Sequence, residues 1–259
     1  MSKISETIAN LNSQNKKALS VFLTAGFPDE KSFVELACDI YDAGANLIEL
    51  GIPFSDPLAD GPVIQQSSQQ ALENGMTLKK CLDLAAQIKS KVDKPLILMG
   101  YSNPLIRFGL NEFTKAAKSS GVDGLIIPDI PLEEYEDFFT QDFNGLDTIL
   151  LTTPTSSEER ISNIDKLSSG FVYCVSVTGT TGVRQNFEGT VKENLKRTYN
   201  IIKKNKMMIG FGISSPENIE SFYDISDGFI VGSAVIKSLL NETREKTFEL
   251  VSSLAHACH

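Results

Sequence analysis

The chain has 259 residues, 41% of them hydrophobic, enough to bury a full core, and an α/β chain of this length is often one domain, here 1–259. Its 33 acidic and 24 basic side chains leave a net charge of −9, which argues against a nucleic-acid surface, because neutralising phosphates needs clustered Lys and Arg. Both histidines, His256 and His259, lie in the last four residues, where chains usually fray, and the four cysteines form no CxxC pair, which sets aside imidazole catalysis, zinc sites and dithiol redox chemistry.

The N-terminus, Met1 to Glu6, has no basic segment followed by an apolar run. No stretch approaches the roughly 18 apolar residues of a membrane span, and a cytoplasmic protein is expected. An extra helix precedes the first strand. Eight short apolar runs follow: Leu19 to Ala25, Asn46 to Ile52, Pro95 to Tyr101, Gly124 to Ile130, Thr148 to Thr153, Phe171 to Val177, Met207 to Ile213 and Gly228 to Gly232. Most are continuous rather than alternating, as strands buried on both faces of a parallel sheet are.

Helical patterns separate them. Phe33, Ala37, Ile40 and Tyr41 share one face of the first, and Val191, Leu195 and Ile202 one face of a later one. The connection after the second strand, Pro53 to Lys94, is long and holds more than one helical pattern. Ser156 with Glu159, and Ser214 with Glu217, fit capping boxes, the second with Pro216 in its first turn. The basic run Lys203, Lys204, Lys206 reads as the solvated end of a helix, and Cys38, Cys81, Cys174 and Cys258 as small buried apolar residues. Eight strand-helix units in this length predict a single-domain (β/α)8 barrel with an extended loop between strand two and its helix. A doubly wound sheet would carry a glycine-rich dinucleotide turn after its first strand, and Thr24-Ala25-Gly26-Phe27 is not one.

In such a barrel the chemistry sits at the C-terminal ends of the strands. Glu49 stands inside an apolar run, where a carboxylate without partners gains a raised pKa and the character of a general acid/base; an ion-paired or hydrogen-bonded core residue is the plainer reading. The loop Pro53 to Pro62 holds three prolines, which suit it to fixing Asp60, while Asp56 reads equally well as a turn former. The later strands end in Thr178 to Gly182, Gly210 to Ser215 and Val231 to Ser233, glycine loops that meet helix starts and suit phosphate. No lysine lies in the C-terminal half of a strand, since Lys94 and Lys206 stand at strand starts, so Schiff-base chemistry is not expected. Carboxylate acid/base chemistry on a phosphorylated substrate, without a cofactor, is what these residues leave.

Phe22 to Pro28, Glu49 to Pro62, Tyr101-Ser-Asn-Pro104, Pro128-Asp-Ile-Pro131, Thr178 to Gly182, Gly210 to Ser214 and Gly232-Ser233, in that order, closely resemble the tryptophan synthase α subunit family. The resemblance runs over nearly the whole chain; the segment from Glu49 to Pro62 is very specific, whereas the glycine loops alone fit many barrels. It implies a lyase that splits indole-3-glycerol phosphate into indole and glyceraldehyde 3-phosphate. The indole would pass to a pyridoxal-phosphate-dependent β subunit in an α2β2 heterotetramer. Glu49 matches the family's catalytic acid/base and Asp60 the carboxylate at the indole nitrogen. Phe22, Ile64, Tyr101, Ile126, Tyr173, Phe211 and Ile230 match the indole pocket, and Thr181, Gly182, Gly212, Gly232 and Ser233 the phosphate side. Asp56 and the segment Asn74-Gly75-Met76 resemble its partner-facing surface. Thr180 stands where the family often has valine. Another phosphate-binding barrel enzyme, acting on a ribulose phosphate, and a chiefly regulatory subunit are the alternatives; indole formation and the effect of a β subunit on the lyase rate separate them.

Overall fold

The structure, a computed structural model, describes residues 1–138, 143, 145–153, 155–175, 186–210 and 212–259, and of residues 136 and 186–190 the backbone alone. The predicted runs form the strands β1 (Ala18–Thr24), β2 (Leu47–Gly51), β3 (Leu96–Met99), β4 (Gly124–Ile126), β5 (Asp147–Thr152), β6 (Val172–Val175), β7 (Met207–Gly210) and β8 (Gly228–Val231). Each pairs in parallel with the next, and β1 pairs with β8, so the sheet closes into a barrel in sequence order. Nearly every strand residue is buried, because one face packs inside the barrel and the other under helices.

Those helices are α1 (Lys3–Ser13) before β1, α2 (Phe33–Asp42), then α3 (Pro62–Glu73) and α4 (Leu78–Lys91) together between β2 and β3. They continue with α5 (Ser102–Phe108), α6 (Leu110–Ser119), α7 (Tyr135–Phe138), α8 (Glu158–Leu167), α9 (Asn186–Ile201), α10 (Pro216–Phe222), α11 (Ser233–Asn241) and α12 (Arg244–Ala257). The extra N-terminal helix and the long, helical β2 to β3 connection are as expected. In α2, Phe33, Ala37, Ile40 and Tyr41 are all buried; in and after α9, Leu195 and Ile202 are buried and Val191 half-buried. On α1, Ile4 and Ile8 are fully buried beneath the barrel, each contributing about 1.5–3 kcal/mol.

Four expectations need correction. Both caps lie one residue further on, and only the second forms a capping box. Ser157 caps α8, accepting from the Arg160 amide, while the Ser156 hydroxyl turns back to accept from the Thr153 amide at 3.2 Å. At α10 the cap is Ser215, whose amide donates to Asn218 at 3.2 Å, an amide side chain taking the place expected of Glu217. The basic run is not simply solvated: Lys204 Nζ donates to the carbonyls of Lys166 (2.6 Å) and Ser168 (2.9 Å), and Lys206 pairs with Asp227 at 3.3 Å. The C-terminus is tied down rather than frayed, since the Lys17 amide donates to the Cys258 carbonyl at 2.7 Å and the Cys258 side chain is fully buried. Cys81 and Cys174 are also buried, but Cys38 is partly exposed.

Candidate active site

The register builds the site layer by layer. Glu49 on β2 is level with Phe22 on β1 and Ile97 on β3, and the next inward layer toward the mouth is Gly51 with Met99. Phe22, Gly51 and Met99 line a cleft at the C-terminal end of the barrel together with Ile52, Asp60, Ser68, Gly100, Tyr101 and Pro128. Glu49, two residues before Gly51 on β2 and level with Phe22, is fully buried and is not itself part of the cleft lining. The free space is only about 10 Å³, room for one water.

A larger cavity, about 570 Å³, opens at the opposite end, beside α1, and is lined by Ser2, Ser5, Asp147, Lys203, Lys206 and Asp227 among others. Size does not decide between them. The small cleft is where two carboxyls converge on aromatic rings at the strand C-termini, the end that carries barrel chemistry.

The two carboxyls differ in environment. Glu49 accepts one hydrogen bond, from the Ser20 hydroxyl to Oε1 at 2.9 Å, and its Oε2 is buried with no partner among the described residues. Among the described residues no cation acts on it, so burial dominates and raises its pKa to about 8, against the opposing pull of the Ser20 hydroxyl. The plainer core reading is thus met only in part: Glu49 has a hydrogen bond but no compensating charge. Asp60 is raised less, to about 6, by partial burial that the Tyr101 hydroxyl offsets. Tyr173, buried on β6, senses both carboxylates, whose charges add to burial in raising its hydroxyl pKa.

The loop carrying Asp60 is held by its own backbone and by Tyr101. The Asp60 amide donates to the Pro57 carbonyl at 3.0 Å, Gln65 Nε2 donates to the Asp60 carbonyl at 2.8 Å, and the Tyr101 hydroxyl accepts from the Ala59 amide at 3.0 Å. Phe54 packs on the Tyr101 ring at 5.2 Å between centroids. Asp56 is exposed, and its carbonyl accepts from the Leu58 amide, as in a turn. Glycines make room for the rings: a Cβ on Gly51 would lie 2.3 Å from the Phe22 ring, and one on Gly210 2.3 Å from the Tyr173 hydroxyl.

Of the other expected residues, Ile126 and Ile230 are buried at the ends of β4 and β8, and Ile64 is buried on α3, outside the cleft lining. Gly232 is the N-cap of α11 and Ser233 its first residue. The Ile236 amide donates to the Gly232 carbonyl at 3.0 Å as the first turn of α11 closes, and the amides before it have no partner within the helix, as at any helix start. Gly212 has φ of +81°, which a residue with a side chain rarely adopts. Phe211, Thr181 and Gly182, with Thr178 and Thr180 of the same loop, lie outside the described residues. Ser20, Ile52 and Ser68 were not foreseen. Ser20 could have been found from register alone, as an inward polar residue on the strand beside Glu49. Among the described residues no group of three His, Cys, Asp or Glu side chains could hold a metal.

The family model for the tryptophan synthase alpha chain matches residues 8–258. The chain is 45% identical over 259 residues to the tryptophan synthase alpha chain of Geotalea uraniireducens, covering 98% of this chain and 97% of that one. It is 46% identical over 244 residues to the alpha chain of Chloroflexus aurantiacus, covering 92% and 90%. A crystal structure of tryptophan synthase subunit alpha from Legionella pneumophila superposes with a TM-score of 0.90 at 33% identity, covering 100% of this chain and 98% of that one. The carboxyl pair at the barrel mouth, the match across almost the full length and the shared fold agree, and the chain belongs to the tryptophan synthase alpha chain family.

Proposed function

We propose that Glu49 and Asp60 carry the chemistry of this chain, a carbon–carbon lyase of tryptophan biosynthesis that cleaves indole-3-glycerol phosphate to indole and glyceraldehyde 3-phosphate. The observation that carries the roles is the difference in environment: Glu49 is fully buried with one hydrogen bond and an unpartnered Oε2, whereas Asp60 is half-buried on the loop, so burial raises the first to about 8 and the second only to about 6. Near neutral pH the first is a carboxylic acid and the second a carboxylate, the division of labour that acid/base catalysis needs.

Protonated Glu49 delivers its proton to indole C3, which makes the ring an electron sink. The Glu49 carboxylate so formed then takes the proton of the 3′-hydroxyl, the C–C bond breaks, its electron pair returns to the ring, and the aldehyde and indole separate. Asp60 stabilises the positive charge that develops at the indole N–H, an effect realised mainly in the transition state. Tyr101 holds the Asp60 loop, and Phe22, Tyr173, Ile126, Ile230 and Phe211 offer apolar surface to the ring. The amides at the start of α11, with Ser233, Gly232, Gly212 and the loop of Thr181 and Gly182, receive the phosphate.

An alpha chain works beside a β subunit. The α2β2 assembly, pyridoxal phosphate held by that partner, absence of a cofactor in this chain, and a cytoplasmic location are part of the same proposal. Leu58, 95% exposed on the Asp60 loop, together with exposed Asn74 and Gly75, supports a partner surface at the mouth; Met76 is buried instead. Among the described residues no helix is long and apolar enough to cross a membrane. The deciding experiment is an indole-release assay on Glu49→Gln, which abolishes turnover while a non-cleavable phosphorylated indole analogue still binds. Substantial residual turnover overturns the assignment of Glu49.

A further inference from the structure

We propose that Ser20 is a positioning residue for this lyase, holding Oε1 of Glu49 through its hydroxyl so that Oε2 alone exchanges protons with the substrate. The inference deepens the role given to Glu49 and rests on it.

Three observations carry it. Ser20 is fully buried, and its hydroxyl donates to Glu49 Oε1 at 2.9 Å, the sole hydrogen bond that the carboxyl receives among the described residues. Glu49 Oε2 is equally buried and has no partner. The register adds direction: Glu49 is opposite Phe22, and Ser20 lies two residues before Phe22 on the same face of β1, deeper in the barrel. The hydrogen bond therefore draws one oxygen away from the mouth and fixes the rotamer of a side chain with three rotatable bonds, whose freedom would otherwise scatter the acid over several positions.

A hydroxyl is the right group for this task. It is neutral and donates to Oε1 both in the carboxylate and in the acid protonated on Oε2, where Oε1 is the carbonyl oxygen, so Ser20 keeps its hold while Glu49 gives up a proton and regains one. A lysine there would add a positive charge and favour the ionised form far more strongly. Among the described residues, the titratable group coupled to Glu49 is Tyr173 from β6, which also senses Asp60, and neither Tyr173 nor Asp60 supplies a positive charge. Ser20 is thus the available lever on the acid's proton affinity, and as a donor it favours the ionised form.

The test is the pH dependence of kcat and KM for indole release by wild type, Ser20→Ala, Ser20→Thr and Ser20→Val, with Glu49→Gln alongside. Thr and Val are nearly the same shape and differ in the hydroxyl, so the pair separates hydrogen bonding from packing even where the alanine variant folds poorly. In Ser20→Ala and Ser20→Val the alkaline limb of kcat moves up by about one pH unit, and kcat at neutral pH falls about 10-fold with KM unchanged. Ser20→Thr keeps the wild-type limb. If the limb stays in place in all three, or moves equally in the Thr and Val variants, Ser20 is a packing residue and the inference fails. Turnover by Glu49→Gln would instead refute the role of Glu49 itself, a separate result.

Discussion

Replacing Glu49 by Gln should stabilise the folded chain increasingly as pH rises, because the native carboxyl clings to a proton that the unfolded chain gives up. The pKa is about 8 in the fold against an ordinary 4.5. Between those values the folded state binds more protons than the unfolded one, so stability declines with rising pH. Glu49 contributes most below pH 4.5, and that contribution is lost progressively until the native carboxyl also ionises, through pH 8. Each unit in this window costs 1.36 kcal/mol, so wild type loses about 3 to 4 kcal/mol relative to Glu49→Gln between pH 5 and pH 8. Any constant penalty from the new amide cancels in the difference. Urea unfolding of both proteins at pH 5, 6, 7 and 8 measures it, since the remaining titratable groups are common to the two. Parallel stability curves would show that Glu49 has an ordinary pKa, and the reasoning from burial would be wrong.

The pH profile of kcat/KM should be a bell with limbs near 6 and 8, and Asp60→Asn should lose the acid limb while turnover falls about 10²–10³-fold; an unshifted acid limb in that variant would assign it to the substrate phosphate. Gly210→Ala drives a methyl into the Tyr173 ring, so KM rises and the fold loses about 1–3 kcal/mol, read by substrate titration and thermal melting. Deleting Cys258 and His259 removes the acceptor of the Lys17 amide and a fully buried side chain, lowering stability by about 2 kcal/mol with kcat intact; an unchanged melting temperature would show that the terminus is dispensable.

The strands were legible because continuous apolar runs such as Leu96 to Met99 are hard to place anywhere but in a sheet covered on both faces. Glu49 stood out for the converse reason, as a carboxyl where only apolar residues belong. Capping was misplaced by one residue because neighbouring serines compete for the same helix start, and only the backbone decides whether Ser156 or Ser157 meets the free amides. Lys204 looked solvated because its carbonyl partners, Lys166 and Ser168, are distant in sequence and carry no side-chain signal. Ser20 escaped notice for a related reason: a serine in a strand is ordinary until the register of the neighbouring strand brings a carboxyl beside it.

The helix at the chain start has a bearing on chemistry at the opposite end. Ile4 and Ile8 of α1 close the bottom of the barrel, with the Ile4 Cδ1 only 2.8 Å from where a side chain on Gly124 would begin, and Asn12 ties the helix to the Asp227 carbonyl at 2.9 Å. The barrel interior between that helix and Glu49 is packed with buried side chains, so the mouth at the strand C-termini is the end from which a substrate reaches the acid, and the first dozen residues serve as the base of a one-ended vessel.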